Sequence, residues 1–139
     1  MLISSKNRNE KIVLGLLSYT YPSEEHPSIE TQRQLLEAYQ VTENADIYLY
    51  KTDESENYIG LVCVEISQVN QSSQDESMTL ILDRVALNPS FREEGLGFEM
   101  YKELRDLYPQ ATVIGSNLTM EIVAKWTEKY QNESLPGGK

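Results

Sequence analysis

The chain has 139 residues, a single cysteine and a formal net charge of −10 at pH 7. This length predicts one domain over residues 1–131 with a flexible tail at residues 132–139, and the acidic charge argues against nucleic acids and anionic membranes as partners. No stretch approaches the roughly 20 apolar residues of a membrane span, residues 1–18 do not resemble a signal peptide, and Cys63 alone cannot form an internal disulfide, so we expect a cytoplasmic protein.

The N-terminal half predicts a strand, a helix and a β-hairpin. The apolar run at residues 12–18 is short enough for a buried strand. Ser28 fits the N-cap of a helix. Alternation over residues 46–52 and a β-branched run at residues 58–66, joined by a polar turn, predict an antiparallel pair. The residues expected on the inner face of the helix are Ile29, Leu35, Leu36 and Tyr39.

The C-terminal half predicts a strand at residues 78–87, a helix at residues 95–108 and a short strand at residues 111–114. Asn117 fits the cap of a last helix. The resulting order is β-α-β-β-β-α-β-α. Three consecutive strands between helices require a mixed rather than a wholly parallel sheet, so the fold class is α/β with a mixed sheet. The residues expected on the inner stripe of the last helix are Leu118, Ile122, Val123, Trp126 and Tyr130.

A glycine-containing loop, Arg92-Glu93-Glu94-Gly95-Leu96-Gly97, connects the third strand of this meander to the following helix. Free N–H groups and the helix dipole make such a loop a natural anion cradle. A Walker loop requires Lys after its second glycine, where this chain has Phe98, and a Rossmann fingerprint requires Gly at its first position. The pattern Arg/Gln-x-x-Gly-x-Gly/Ala of acyl-coenzyme A loops fits. The alternative is a tight turn without a ligand.

The loop and its lead-in, Val85-Ala86-Leu87-Asn88-Pro89-Ser90-Phe91, resemble the GNAT N-acetyltransferases. The resemblance covers about residues 1–130 and looks closest to the RibT group of Gram-positive riboflavin operons. It implies a GNAT-like fold with a shortened C-terminus, acetyl-CoA as cosubstrate and an amine acceptor. The segments that resemble the RibT group are Met1-Leu2-Ile3, Glu10-Lys11-Ile12, Gly15-Leu16-Leu17-Ser18, Pro22, Tyr48-Leu49-Tyr50-Lys51, Ile59-Gly60, Val64-Glu65 and Asn88-Pro89-Ser90.

The resemblance also implies how the cosubstrate binds. The diphosphate would lie on the backbone of residues 93–98, where Gly95 and Gly97 permit close approach. The pantetheine arm would pair with the strand end, and a backbone N–H near Ala86 or Leu87 would polarise the thioester carbonyl. Asn117 would touch this arm, with plain helix capping as the alternative. The full expected set is Val85, Ala86, Leu87, Arg92, Glu93, Glu94, Gly95, Leu96, Gly97, Phe98 and Asn117. Glu93 and Glu94 depart from the family pattern, and we expect both to face water.

Candidates for proton transfer are fewer. Asp83 and Glu65 are the carboxylates expected on the central strands, where family members often carry a general base. Their alternatives are an ion pair between Asp83 and Arg84 and a solvated Glu65. The family's acidic tyrosine is replaced by Thr127, which leaves Tyr130 as a candidate acid, or as a packing partner of Trp126.

The remaining expectations concern partners. His26 has no Cys or His partner, so we expect no metal site. Loops at residues 20–27 and 67–77 would form the acceptor pocket, without a readable specificity. An open edge at residues 111–114 predicts a homodimer. The alternative to catalysis is a CoA-binding module without turnover, and a weaker third alternative is direct binding of a flavin or phosphosugar in the same cradle.

Overall fold

The computed structural model describes residues 1–22, 25, 27–70, 76–92 and 94–134, so His26 and Glu93 lie outside the described residues. The elements are β1 (Leu2–Ser4), α1 (Glu10–Leu17), a 3₁₀ helix (Ser18–Thr20), α2 (Ile29–Val41), β2 (Ala45–Tyr50), β3 (Gly60–Asn70), β4 (Glu76–Leu87), a second 3₁₀ helix (Pro89–Phe91), α3 (Leu96–Leu107), β5 (Ala111–Gly115) and α4 (Met120–Ser134).

The strands form one sheet in the order β1-β2-β3-β4-β5. The first three pairings are antiparallel, whereas β4 and β5 are parallel. The predicted mixed α/β sheet is therefore confirmed. Because side chains alternate between the faces of a strand, β3 contributes to two cores. Leu61 and Cys63 pack with α1 and α2, and Val62 and Val64 pack with residues of α3 and α4. Cys63 is buried, as expected of a small apolar residue.

The strand predicted at residues 12–18 is wrong, because this segment belongs to α1. Its buried residues are Val13, Leu14, Leu16 and Leu17, a spacing that covers one helical face and leaves Gly15 exposed. A short apolar run cannot be assigned to a strand or a buried helix by its pattern alone. The first strand is instead Leu2–Ser4, which pairs with β2 and places α1 between them in sequence.

Helix α2 begins as predicted but presents a different face. The Ser28 side chain accepts a hydrogen bond from the Thr31 N–H, so its role as N-cap is confirmed. The inner stripe consists of Gln32, Leu36 and Tyr39, whereas Ile29 is 57% exposed. A polar residue therefore occupies the position at which the apolar stripe reaches the N-terminal end of the helix.

Helix α4 starts and ends later than predicted. It begins at Met120, where the Val123 N–H donates to the carbonyl of Thr119, so Asn117 does not cap it. Asn117 lies in the turn after β5, and Leu118 in the same turn is 59% exposed rather than part of the stripe. The helix continues to Ser134, so residues 132–134, which were predicted to belong to the tail, are helical.

Candidate functional site

Strands β4 and β5 diverge near the end of β4, and we call this point the fork. Their pairing ends at Leu82 and Gly115. The Ser116 hydroxyl donates to the carbonyl of Asp83 at 2.8 Å, and the Thr119 hydroxyl donates to the carbonyl of Leu82. These two bonds tie the turn before α4 to β4. Beyond the fork, residues 84–87 pair with β3 on one side and have no strand on the other side in the described chain.

The backbone N–H groups near the end of β4 point alternately towards β3 and towards the open side. The Asn88 N–H donates to the carbonyl of Ile59 and therefore points towards the β3 side of β4. Opposed pairs alternate in such ladders, which turns the N–H of Ala86 towards β3 and those of Val85 and Leu87 towards the open side. The Leu87 carbonyl, which accepts from the Arg92 side chain at 3.1 Å, follows the same alternation. Val85 and Leu87, but not Ala86, can therefore donate to an extended ligand.

A β-bulge at the fork changes the side of the sheet to which the side chains of β4 point. The register of β3 and β4 shifts between Cys63 and Val64, which leaves Asp83 as an extra residue. Asp83 and Arg84 both contact residues on the α1 and α2 side. The Tyr39 hydroxyl donates to the Asp83 carboxylate at 3.1 Å, and the Arg84 guanidinium donates to the Thr20 hydroxyl at 2.8 Å. The alternative role of Asp83, an ion pair with Arg84 or another cation, is not among the ion pairs of the described residues.

The Asp83 carboxyl has proton affinity suited to neutral pH. Its burial and the neighbouring Glu65 carboxyl raise the pKa of Asp83 to about 7, while Tyr39 and Arg84 act in the opposite direction. Glu65 itself is exposed on β3. A carboxyl with such a pKa can accept a proton at neutral pH and release it again, which is the property required of a general base.

An apolar cleft of about 440 Å³ lies between the end of β4, the start of α3 and helix α4. Eight residues expected at the cosubstrate site line it. Four further residues come from α3 and α4. The lining consists of Val85, Ala86, Leu87, Arg92, Gly95, Leu96, Gly97 and Phe98, with Met100, Ile122, Trp126 and Lys129. The structure thus brings together most of a set that was expected from the loop motif.

The start of α3 forms the mouth of this cleft. The N–H groups of Leu96, Gly97 and Phe98 have no acceptor among the described residues, and the dipole of α3 adds positive potential. Gly95 has φ of 76° with open space around its Cα, so its conformation is what requires glycine. A Cβ on Gly97 would lie 2.8 Å from the Trp126 ring, so that glycine permits the close approach of α3 and α4.

Positively and negatively charged side chains near the mouth line different cavities. Arg92 and Lys129 line the cleft, and the Lys129 ammonium lies 4.5 Å from the centroid of the Phe98 ring. Glu94 is exposed and instead lines a cavity of about 630 Å³, together with Glu54 and Glu56. No cation is among the described residues lining that acidic cavity, which makes the smaller cleft the better place for an anion.

Two expected residues lie away from the cleft. Asn117 is exposed and is not among the residues lining it. The Tyr130 ring packs edge-on against the Tyr101 ring, with 6.0 Å between the ring centroids. The Arg105 guanidinium lies 4.8 Å from the centroid of the Tyr130 ring. The Thr127 hydroxyl is 2.9 Å from that of Tyr101. This part of α4 therefore joins α3 through an aromatic cluster.

Helix α4 contributes three residues to the cleft that were not predicted as site residues. Ile122, Trp126 and Lys129 are spaced four and three residues apart and so share one helical face. That spacing was visible in the sequence, but its apolar part was assigned to the core. Within the described residues there is no group of three His, Cys, Asp or Glu able to hold a metal ion. No helix of the described chain is long and apolar enough to cross a membrane.

Several solved structures with this fold are described as acetyltransferases. A probable acetyltransferase is 16% identical to this chain, with a TM-score of 0.70; the match covers 100% of this chain and 93% of the acetyltransferase. A GNAT family acetyltransferase from Staphylococcus aureus is 12% identical over 84% of each chain, with a TM-score of 0.63. The aminoglycoside N-acetyltransferase AAC(6')-Iy in complex with CoA is 13% identical over 100% of this chain and 90% of its own, with a TM-score of 0.57. These identities establish the fold alone.

Sequence comparison establishes the family. No protein-family model matches the chain. An uncharacterised N-acetyltransferase in the lysA 3' region of Bacillus methanolicus is 34% identical over 125 residues, which covers 90% of this chain and 93% of the relative. The chain belongs to the GNAT N-acetyltransferases.

Proposed function

We propose that this protein transfers the acetyl group of acetyl-CoA to the nitrogen of an amine. One observation carries the proposal: the bulge at Asp83, the open edge of residues 84–87 that lines the apolar cleft, and the anion cradle at the start of α3 follow one another along one stretch of the chain. A thioester, an amide-bearing arm and a diphosphate follow one another in the same order along acetyl-CoA. AAC(6')-Iy, which shares the fold, has been solved with CoA and with a bisubstrate analogue containing CoA.

Binding would use backbone groups more than side chains. The pantetheine arm would pair with the open side of residues 84–87 in the manner of an added strand. The diphosphate would accept hydrogen bonds from the free N–H groups at the start of α3. Arg92 and Lys129 would add local positive charge, which a chain with a net charge of −10 needs at an anion site.

Chemistry would take place next to the bulge. Asp83 would remove a proton from the attacking amine, directly or through a water molecule. The nitrogen would form a bond to the thioester carbonyl carbon, the C–S bond would break, and the CoA thiolate would leave and take up a proton. A strand rises by about 3.3 Å per residue, so the Val85 N–H lies roughly 7 Å and the Leu87 N–H roughly 13 Å along the chain from Asp83. A base must be within hydrogen-bond or single-water reach, which favours Val85 as the donor to the carbonyl.

The alternative is a CoA-binding module of the same fold without turnover. It is favoured by the placement of Thr127 and Tyr130, which pack into the aromatic cluster with Tyr101 rather than lining the cleft. Under this alternative acetyl-CoA binds but no amine releases CoA. A link of either function to riboflavin metabolism rests on the sequence resemblance to the RibT group, so amines of that pathway belong among the acceptors tested.

Calorimetry tests the binding half of the proposal. Acetyl-CoA and CoA should bind, and AMP, which lacks the arm and the diphosphate, should bind far more weakly. Lys129→Ala should weaken acetyl-CoA binding by about three- to fivefold, as expected for a partly solvated charge pair. Lys125→Ala is the matched control, because Lys125 is exposed on the same helix and does not line the cleft.

Turnover tests the catalytic half. Release of the CoA thiol is measured over a panel of primary amines. Turnover of any amine that depends on Asp83 supports the transferase, whereas binding without turnover supports the module. Failure of both acetyl-CoA and CoA to bind at millimolar concentration would refute the proposed function altogether.

A further inference from the structure

A second cavity of about 510 Å³ lies on the opposite face of the sheet from α3 and α4. Its walls come from the first 3₁₀ helix, the connection to α2, the start of α2 and the segment after β4. Arg92 lines both this cavity and the apolar cleft, so the two cavities meet at the loop between β4 and α3. We refer to this cavity, whose lining includes Tyr19, Tyr21, Glu25, Gln32 and Arg92, as the tyrosine pocket.

Gln32 is an unusual wall residue. It is only 6% exposed, on the inward stripe of α2 that continues with Leu36 and Tyr39. Its amide makes no hydrogen bond to any described residue, yet no described side-chain polar atom is both sealed from solvent and unpaired. The amide must therefore reach the open space of the tyrosine pocket. Burying an amide without a partner is unfavourable, so this position is explained by a group that hydrogen-bonds it from within the pocket.

Two aromatic rings stand beside this amide, and each is held by an arginine. The Arg92 guanidinium lies 5.9 Å from the centroid of the Tyr19 ring, and that of Arg84 lies 4.9 Å from the centroid of the Tyr21 ring. Arg84 follows the bulge residue Asp83, and Arg92 precedes the cradle. The tyrosine pocket therefore reaches the segment after β4 through Pro89 and Arg92, and Arg84 of β4 contacts one of its rings.

We infer that the tyrosine pocket holds the non-reacting end of the amine acceptor, and that Gln32 selects a neutral planar group with a hydrogen-bond donor beside an acceptor. This inference rests on the proposed function. A glutamine amide offers one C=O acceptor and N–H donors side by side, so its complement is a carboxamide or the lactam edge of a ring. Aromatic walls favour a flat group, and Glu25 and Arg92 line the same pocket with opposite charges, so the pocket favours neither a cation nor an anion.

Uracil and 1,3-dimethyluracil provide matched probes for this assignment. The two share a ring, but methylation removes both N–H donors. Binding is measured by ligand-observed NMR at 20 mM or below, with CoA present. Uracil should bind the wild type and lose at least about fivefold in Gln32→Leu, while dimethyluracil should bind more weakly to the wild type. Gln34→Leu is the control, because Gln34 is exposed on the same helix, and it should retain uracil binding.

Folding and cosubstrate binding are monitored in the same variants. Gln32→Leu should melt no lower than wild type, since it removes an amide without a described partner; if it fails to fold, Gln32→Glu tests the same loss of the donor. Uracil binding that is absent in the wild type, or equal in Gln32→Leu, overturns the inference. The adenine of acetyl-CoA presents a comparable edge, so weaker acetyl-CoA binding by Gln32→Leu would also overturn it in favour of the cosubstrate. Unchanged acetyl-CoA binding supports it, and failure of the wild type to bind acetyl-CoA would refute the proposed function separately.

Discussion

Substitution of Gly97 by alanine tests the contact between α3 and α4 at the mouth of the cleft. The new Cβ would lie 2.8 Å from the Trp126 ring, which must retreat by about 0.6 Å to reach the 3.4 Å at which ordinary contact begins. Overpacking of this kind costs about 1–3 kcal/mol, and the better helix propensity of alanine returns roughly 0.5–1 kcal/mol. The net loss of about 0.5–2 kcal/mol should lower Tm by roughly 2–6 °C, measured by circular dichroism.

Two variants separate the clash from the change of propensity. Gly15→Ala introduces the same side chain into α1, where no atom lies within 4 Å of the new Cβ, so its Tm should rise by roughly 2–3 °C. Trp126→Leu removes the clashing ring, so Gly97→Ala should cost less in that background than in the wild type. A Gly97→Ala protein that melts at or above the wild-type temperature would refute the assignment of this glycine to helix packing.

Four further predictions concern Asp83 at the fork, the candidate acid Tyr130 and the sheet edge. Because burial raises the folded-state pKa of Asp83 to about 7, the wild type should lose stability as pH rises from about 4 to 7, and Asp83→Asn should not; parallel urea-unfolding profiles would contradict this. The kcat/KM of the wild type should rise with pH through about 7, and this rise should be absent in Asp83→Asn. Tyr130→Phe should keep kcat within about twofold, because the ring packs on Tyr101; a loss beyond about tenfold would instead identify Tyr130 as the general acid. The outer edge of β5 carries no charged residue or proline, so light scattering should give about twice the 15.9 kDa of one chain, and a monomer mass would exclude a stable dimer.

The sequence predicted the sheet better than the N-terminal helices. The strands at residues 46–52, 58–66, 78–87 and 111–114 have alternating or β-branched patterns that only a strand satisfies. The run at residues 12–18 has no such constraint, since its apolar residues fit a short buried strand and one face of a helix equally well. Tertiary contacts with α2 and β3 decide in favour of the helix, and these contacts are not readable from a local window.

The candidate site was predictable where it depends on backbone and not where it depends on long-range side-chain placement. The loop motif located the cleft because glycines at fixed offsets report directly on chain geometry. Gln32 was overlooked, because a polar residue in the first turn of a helix is ordinarily assigned to the solvent side. Its burial depends on the connection that brings the first 3₁₀ helix against β4, where Arg84 bonds to Thr20.

The hydroxyls of Ser116 and Thr119 give the fork a further consequence. By occupying the carbonyls of Asp83 and Leu82, they prevent β5 from closing onto the last residues of β4. The unpaired edge of residues 84–87 therefore exists before any ligand arrives, and the protein does not have to break its own sheet to admit one. Because this edge is already ordered in the folded protein, binding costs less conformational entropy, which favours rapid association. Binding selectivity then depends on the groups near Asp83 and at the start of α3.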